Sequence, residues 1–285
     1  MYTEYMNSLS PDWEQLTPVT QDSDLDTERF NQTYGYPSRP VVIKDLGDDW
    51  SIPGKWSLSF LAENFGDLKF QGEKPHPENP EIREFSLAEY IAYTASCTDE
   101  EPYYLNNVNF HNYTALKEDY TLPEYFDCWY HAIPMEKRKF NLSWIYIGAA
   151  KTRSELHLDI WNTSAWNYLV SGHKLWLFYD KSQYPFLYEG KVDPFTADSG
   201  EYPLLQQATP LYCVQKPGDT VFTPSTWWHT VLNLDTTFSL TENFINKTNY
   251  QEVLAYFKNG GNEKAWQSMK KLVDGHLENT TAINH

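Results

Sequence analysis

Two potential metal ligands, His157 and Asp159, lie one residue apart in the segment Ser154-Glu-Leu-His-Leu-Asp-Ile-Trp161. The segment is apolar and β-prone, and a strand's period of two would put both side chains on one face. A third ligand, His229, stands in Val221-Phe-Thr-Pro-Ser-Thr-Trp-Trp-His-Thr-Val-Leu-Asn233, a further strand-like run introduced by the turn signal Pro217-Gly-Asp. Two imidazoles and a carboxylate on one side of an ion make the facial set that leaves coordination positions open on ferrous iron. The bland alternative is a chance His-x-Asp tripeptide with packed or solvated histidines, since short motifs have many false positives. The context adds weight to the metal reading. Lys174 sits in Gly172-His-Lys-Leu-Trp-Leu-Phe-Tyr179, an otherwise apolar strand pattern, where a buried ammonium is costly unless it meets an anion.

The elements that must position these residues can be read around them. From Trp144 to Phe244 short apolar strands and turn signals follow one another without a helical period, as a double-stranded β-helix (jelly-roll or cupin) core requires. Such a barrel brings His157 and Asp159 beside His229. The fold class expected is mainly β with flanking helices. Residues 1–26 are polar and acidic and read as an N-terminal arm. Residues 27–246 form the catalytic domain, with a helix-and-strand part over 27–143 and the barrel over 144–246. In the first part, 27–34 reads as helix and 41–44 as strand. Ser57–Phe65 and Ser86–Ala95 read as serine-capped helices, the second with a capping box completed by Glu89. The proline-rich, charged stretch Gly72–Glu84 reads as a surface loop, Tyr103–Leu105 as a strand and Leu122–Trp129 as a short helix. Residues 247–285 form a helical extension, with amphipathic helices over 249–257 and 262–273 split by Gly260-Gly261.

Composition narrows the function. The chain has 285 residues, 41% hydrophobic and 16% aromatic, enough to bury a core without features of disorder. Net charge is -17 and the pI about 4.8, which argues against nucleic acid as a main partner and leaves a cationic substrate open. Cys97, Cys128 and Cys213 are too scattered for a disulfide framework or zinc knuckle and read as reduced core residues. No leader-like N-terminus or long apolar run is present, so a soluble, intracellular (cytoplasmic) protein without membrane contact is expected.

The chain resembles the Jumonji C (JmjC) 2-oxoglutarate oxygenases of the hydroxylase branch, of the single-domain lysyl hydroxylase and arginine demethylase type. The resemblance is carried by His157-Leu-Asp159, Thr163-Ser-Ala-Trp-Asn167, Gly172-His-Lys174, Gly218-Asp-Thr-Val-Phe-Thr-Pro224, Trp227-Trp-His229 and Leu232-Asn-Leu-Asp-Thr-Thr237. A weaker match runs through Arg39–Ile43, Lys55–Ser57 and Pro102–Tyr104.

It implies Fe(II), 2-oxoglutarate and O2 as cofactors, with His157, Asp159 and His229 as the catalytic metal ligands. Lys174 would pair with the distal carboxylate of 2-oxoglutarate, and Tyr104 and Thr241 would hydrogen-bond the same group. Asn167 and Asn243 match positions on the iron-proximal side, and Ser154 stands where threonine is frequent. Thr241 and Asn243 also alternate on one strand, so packing alone would turn both inward. After the aspartate, Ile160-Trp-Asn162 replaces a proline-containing run, and Trp161 there would either shape a substrate pocket or cover the core. The His-x-Asp motif favours hydroxylation of a peptide, protein or small-molecule substrate, with 2-oxoglutarate decarboxylated to succinate. The alternatives are N-methyl demethylation, a cupin enzyme using zinc or manganese, and a non-catalytic binding barrel. The apolar face of the C-terminal helices would be buried by a homodimer, with Trp266 and Leu272 as anchors, or on the barrel.

Overall fold

In the computed structural model the described residues are 9, 16–74 and 80–283. In chain order they form strands β1 (Thr17–Pro18) and β2 (Thr20–Asp22), helix α1 (Thr27–Phe30), continued by a wider turn over Asn31–Gly35, and strand β3 (Val41–Ile43). Helices α2 (Ile52–Lys55) and α3 (Leu58–Phe65), strands β4 (Lys69–Lys74) and β5 (Glu81–Ser86), helix α4 (Leu87–Ser96) and strand β6 (Tyr104–Val108) follow. The barrel adds β7 (Ser143–Gly148), β8 (Ser164–Ser171), β9 (Lys174–Tyr179), β10 (Leu211–Gln215), β11 (Thr220–Thr223), β12 (Trp228–Asn233) and β13 (Thr237–Phe244). Helices α5 (Tyr250–Asn259) and α6 (Glu263–Ile283) close the chain.

Two sheets result. One runs β1-β10-β9-β12 and the other β2-β3-β11-β8-β13-β7-β6-β4-β5. Their inner faces enclose the jelly-roll interior, and strand alternation decides what enters it. On β9, Lys174, Trp176 and Phe178 turn inward, while Leu175, Leu177 and Tyr179 pack outward with Leu187, Val192 and Phe195. On β13, Thr241 and Asn243 face the interior, whereas Phe238, Leu240 and Phe244 join an outer core with Phe30, Trp50, Trp56 and Trp166. Each sheet therefore carries an apolar outer face sealed by other elements, which frees the inner face for polar chemistry.

Several sequence expectations hold. The Ser86 hydroxyl accepts from the Glu89 backbone at 3.2 Å while the Glu89 carboxylate accepts from the Ser86 backbone at 2.8 Å, completing the capping box. The Ser57 hydroxyl caps α3 by accepting from Phe60 N–H at 3.1 Å. The three cysteines are free thiols. No helix among the described residues is long and apolar enough to cross a membrane.

Other expectations need correction. Gly72–Glu84 is not simply a loop: Gly72–Lys74 and Glu81–Glu84 belong to the antiparallel pair β4 and β5. This pair lies at a sheet edge and is charged on its exposed positions, with Lys69 and Glu84 bridged at 3.0 Å across it, so its composition mimics a loop. Pro75 and Pro77 lie outside the described residues. The arm over 1–26 also lies outside them at 1–8 and 10–15, but β1 and β2 add one parallel strand to each sheet. Leu122–Trp129 gives not an α-helix but the short turn Glu124–Phe126, since Asp127 and Cys128 are extended. Between β9 and β10 the chain makes three 3-10 turns, Lys181–Phe186, Tyr188–Gly190 and Pro203–Gln207.

The C-terminal helices bury Val253 and Met269, and they partly bury Leu254, Phe257 and Leu272, against Tyr130, Leu142, Trp161 and Ile245, and Val273 is buried as well. Their apolar face is thus spent largely on their own barrel, with Leu272 on the inside. The turn that carries the chain from β8 in one sheet to β9 in the other passes through Gly172 at φ 84°, a left-handed conformation that a side chain would strain. A Cβ there would also run into the Thr236 carbonyl oxygen. Gly172→Ala is expected to lower stability by about 1–3 kcal/mol in urea titration, and an unchanged midpoint would show that the turn relaxes freely.

Candidate active site

His229 lies on β12, and its backbone exchanges two hydrogen bonds with His157, at 3.0 and 2.9 Å, in an isolated antiparallel bridge. This bridge, rather than a continuous strand through 157–159, aligns the ligands. Asp159 follows in extended backbone, and one ligand atom from each of His157, Asp159 and His229 falls within 4.8 Å of the others. His157 Nδ1 lies 2.8 Å from the Glu155 carbonyl and His229 Nδ1 lies 3.1 Å from that of Trp227. Carbonyls only accept, so each Nδ1 carries the proton and each Nε2 is left as a bare donor. Burial, reinforced by neighbouring His157, pushes His229 down to about 4, keeping it neutral and ready to ligate at physiological pH.

The triplet opens on a cavity of about 130 Å³ between the two sheets. Tyr104, Ser154, Asn167, Lys174, Thr241 and Asn243 all line it, so the structure gathers these six around the three candidate ligands. Lys174 is 1% exposed and makes no ion pair among the described residues. Its ammonium donates to Asn233 Oδ1 at 3.0 Å and approaches the Tyr104 hydroxyl at 3.5 Å. Burial alone pushes it down to about 7. Thr241 Oγ1 donates to the Trp166 carbonyl at 2.7 Å, Asn243 Nδ2 to Thr163 Oγ1 at 2.9 Å, and Ser154 Oγ accepts from Val231 N–H at 3.0 Å.

Comparison with known proteins fits this geometry. The cupin-like domain family matches residues 27–251. The chain belongs to the cupin-like domain family. Among its relatives is "Lysine-specific demethylase JMJ21" of Arabidopsis thaliana, 30% identical over 247 residues, which are 81% of this chain and 26% of that protein. "Bifunctional arginine demethylase and lysyl-hydroxylase psr-1" of Caenorhabditis elegans is 27% identical over 279 residues, 90% of this chain and 68% of that one. "2-oxoglutarate and iron-dependent oxygenase JMJD4" of Mus musculus is 28% identical over 253 residues, 77% and 58% of the two chains. The expected kinship with the JmjC oxygenases is met. The chain spans only about a quarter to two-thirds of these relatives.

Whether this cupin-like site suits iron and 2-oxoglutarate can be tested on its own atoms. Asp159 Oδ2 and Asn167 Oδ1 are buried without a hydrogen-bond partner, and Lys174 is a buried cation lacking an anion. Buried polar groups are rarely left so. A metal at the triplet and a carboxylate at Lys174 would satisfy two of the three, and the residues therefore fit both groups. His157, Asp159 and His229 would hold the metal, and Lys174 with Tyr104 would hold the distal carboxylate.

Two residues were missed in the sequence. Asn233 Oδ1 accepts from Lys174 and from Thr237 Oγ1 at 2.9 Å, while its Nδ2 donates to Thr152 Oγ1 at 2.7 Å. It stands four positions after His229 on β12, so the strand period that places His229 inward also places Asn233. A Cβ at Gly148 would strike the Asn233 amide, which explains a glycine there. Tyr146 is a polar-tipped ring between Ile145 and Ile147, and with Tyr104 it flanks the Lys174 ammonium at 6.0 and 5.9 Å. Trp161 is the exception among the expected residues. It does not line the cavity: it adopts a left-handed backbone (φ 59°) that places its ring against Tyr130, Phe140 and Phe257.

His157→Ala or Asp159→Ala is expected to abolish stoichiometric iron binding and metal-dependent turnover, checked by metal analysis of the anaerobically loaded protein, with unchanged iron content contradicting the assignment. A buried charge-assisted hydrogen bond is worth about 1.5–3 kcal/mol, so Lys174→Ala should weaken 2-oxoglutarate binding about ten-fold to over a hundred-fold. Titration without loss would mean that another residue holds the carboxylate.

Proposed function

We propose that the protein is an Fe(II)- and 2-oxoglutarate-dependent dioxygenase that hydroxylates a side chain of a peptide or protein. The observation that carries the reading is the convergence of a His157, Asp159 and His229 triplet with the buried, anion-less Lys174 on one cavity. Iron with 2-oxoglutarate, when bound, supplies the oxygen chemistry: 2-oxoglutarate and O2 give succinate, carbon dioxide and one oxygen atom for a substrate C–H bond. The chain supplies the rest. His157 and His229, fixed through their Nδ1 protons, and Asp159 would hold the ion and leave it able to take small ligands. Lys174 and Tyr104, adjacent in the cavity wall, would orient the dicarboxylate. The aromatic walls Tyr146 and Trp176 restrict water around the reacting atoms.

Lysine- or arginine-directed activities are named for several relatives, and the surface beside the candidate metal triplet supports a substrate with such side chains here. A groove of about 770 Å³ shares Ser154 and His157 with the cavity. Its walls include Glu101, Glu155, Glu189 and Asp193 against Arg153 and Lys191. Asp193 is bridged to Arg153 at 2.6 Å and Glu189 to Lys191 at 3.2 Å, which leaves Glu101 and Glu155 without an ion pair among the described residues. A cationic side chain fits this groove better than an anionic one. Hydroxylation is preferred to demethylation because the acid ligand is aspartate, the type that goes with the hydroxylases the chain resembles.

The test is incubation of iron-loaded protein with 2-oxoglutarate and a library of Lys- and Arg-containing peptides. Succinate release coupled to a peptide one oxygen atom heavier is expected. Formaldehyde release from an N-methylated peptide would replace hydroxylation by demethylation, and absence of succinate formation with any peptide would remove the enzymatic reading.

A further inference from the structure

A second cleft, of about 490 Å³, opens between α5, α6 and the segment 130–140, on the outside of the barrel. Trp161, Phe140 and Phe257 form its aromatic floor, with the Trp161 ring 5.2 Å from Phe140 and 5.3 Å from Phe257. Phe140 is 50% exposed although it packs on Trp161. Lys137, Lys139 and Lys264 line the same cleft, and none of them makes an ion pair among the described residues. No acidic side chain lines it. In a chain of net charge -17 this combination is out of keeping with the average surface. An aromatic floor with one half-exposed ring, Phe140, and a cationic rim is the pattern of an interaction site rather than of a solvated face.

We propose that this cleft is a docking site for an acidic peptide segment with an apolar anchor, distinct from the cavity that holds the metal ligands. The occupant follows from charge and size. Three lysines without an ion pair among the described residues select for carboxylates, and a space of this volume takes a short peptide segment with an apolar side chain, whereas a flat protein face would leave it empty. A second copy of this chain is the less suitable occupant, because α5 and α6 already turn Val253, Met269 and Val273 inward. The cleft also adjoins the metal site through the chain: Trp161 is two residues after Asp159, in a turn whose Trp161 and Asn162 both have positive φ. Docking on the Trp161 ring therefore bears on the segment that carries a metal ligand.

The test uses a fluorescein-labelled synthetic peptide with a Leu-Phe pair flanked by aspartates and glutamates, titrated against the full chain by anisotropy, beside the same peptide with lysines for the acids. The acidic peptide is expected to bind, to weaken with rising salt, and to lose at least about ten-fold in affinity to the double reversal Lys137→Glu with Lys264→Glu. Phe140→Ala should weaken it as well, and all these surface variants should keep iron and 2-oxoglutarate binding. The proposal is overturned if neither peptide binds, if both bind alike, or if charge reversal leaves the affinity unchanged. It is equally overturned if light scattering shows a dimer that Phe140→Ala dissociates, since a second copy would then own the cleft. Because iron and 2-oxoglutarate binding are measured on the same variants, failure here and failure of the proposed enzymatic function are told apart.

Discussion

A cation buried inside a barrel is the constraint on which this structure turns. Lys174 is 1% exposed on an inward position of β9, and among the described residues its ammonium finds the Asn233 amide oxygen and the Tyr104 hydroxyl as hydrogen-bond partners. An uncompensated charge in such surroundings is strongly disfavoured, and burial accordingly pushes the lysine down to about 7. Neutral acceptors make the empty arrangement tolerable. A bound anion would make it favourable, and Lys174 lines the same cavity as the candidate ligands His157, Asp159 and His229.

Much of the surrounding architecture follows from keeping that interior polar and shaped. Outer faces of both sheets are sealed by separate apolar clusters, one with the helices of the N-terminal half and one with the turns between β9 and β10. The connection from β7 to β8 is held along β12 by the His157 and His229 bridge and by Ser154, whose amide donates to the Val231 carbonyl at 2.9 Å. Asn233 ties Lys174, Thr152 and Thr237 together, so the lysine head group is held by a network of hydrogen bonds. The buried carboxylate of Glu242, next to Thr241 and Asn243 on β13 but on the opposite face, is satisfied by Lys117, Tyr120 and Ser143. That network holds the strand from outside without entering the site.

The sequence disclosed those parts of the site in which residue type and strand period agree. His229 and Lys174 were legible because each is polar at an inward position of an apolar strand, whereas Thr241 and Asn243 were named by the family resemblance. Asn233 and Tyr146 follow the same rule but carry no metal or charge chemistry, so nothing singled them out. Trp161 was ambiguous because its destination depends on a left-handed turn that no periodicity encodes, and the turn sends the ring under α5. The β4 and β5 pair was hidden for a different reason: on an exposed edge, strand and loop share the same charged composition. For the C-terminal helices the amphipathic pattern showed a face to be buried but not against what, which only the tertiary structure decides.

Proton counting on 2-oxoglutarate binding tests the central claim most directly. In the free protein Lys174 titrates near 7, and a bound carboxylate stabilises its charged form and raises it, so binding above that pH must take up a proton. Isothermal titration of the iron-loaded protein, about one pH unit above that value and in two buffers of unlike ionisation enthalpy, should show uptake approaching one proton per site. The affinity should fall as pH rises further, and both effects should vanish in Lys174→Met. Tight, pH-independent binding without proton uptake, or binding unaltered in Lys174→Met, would contradict the account.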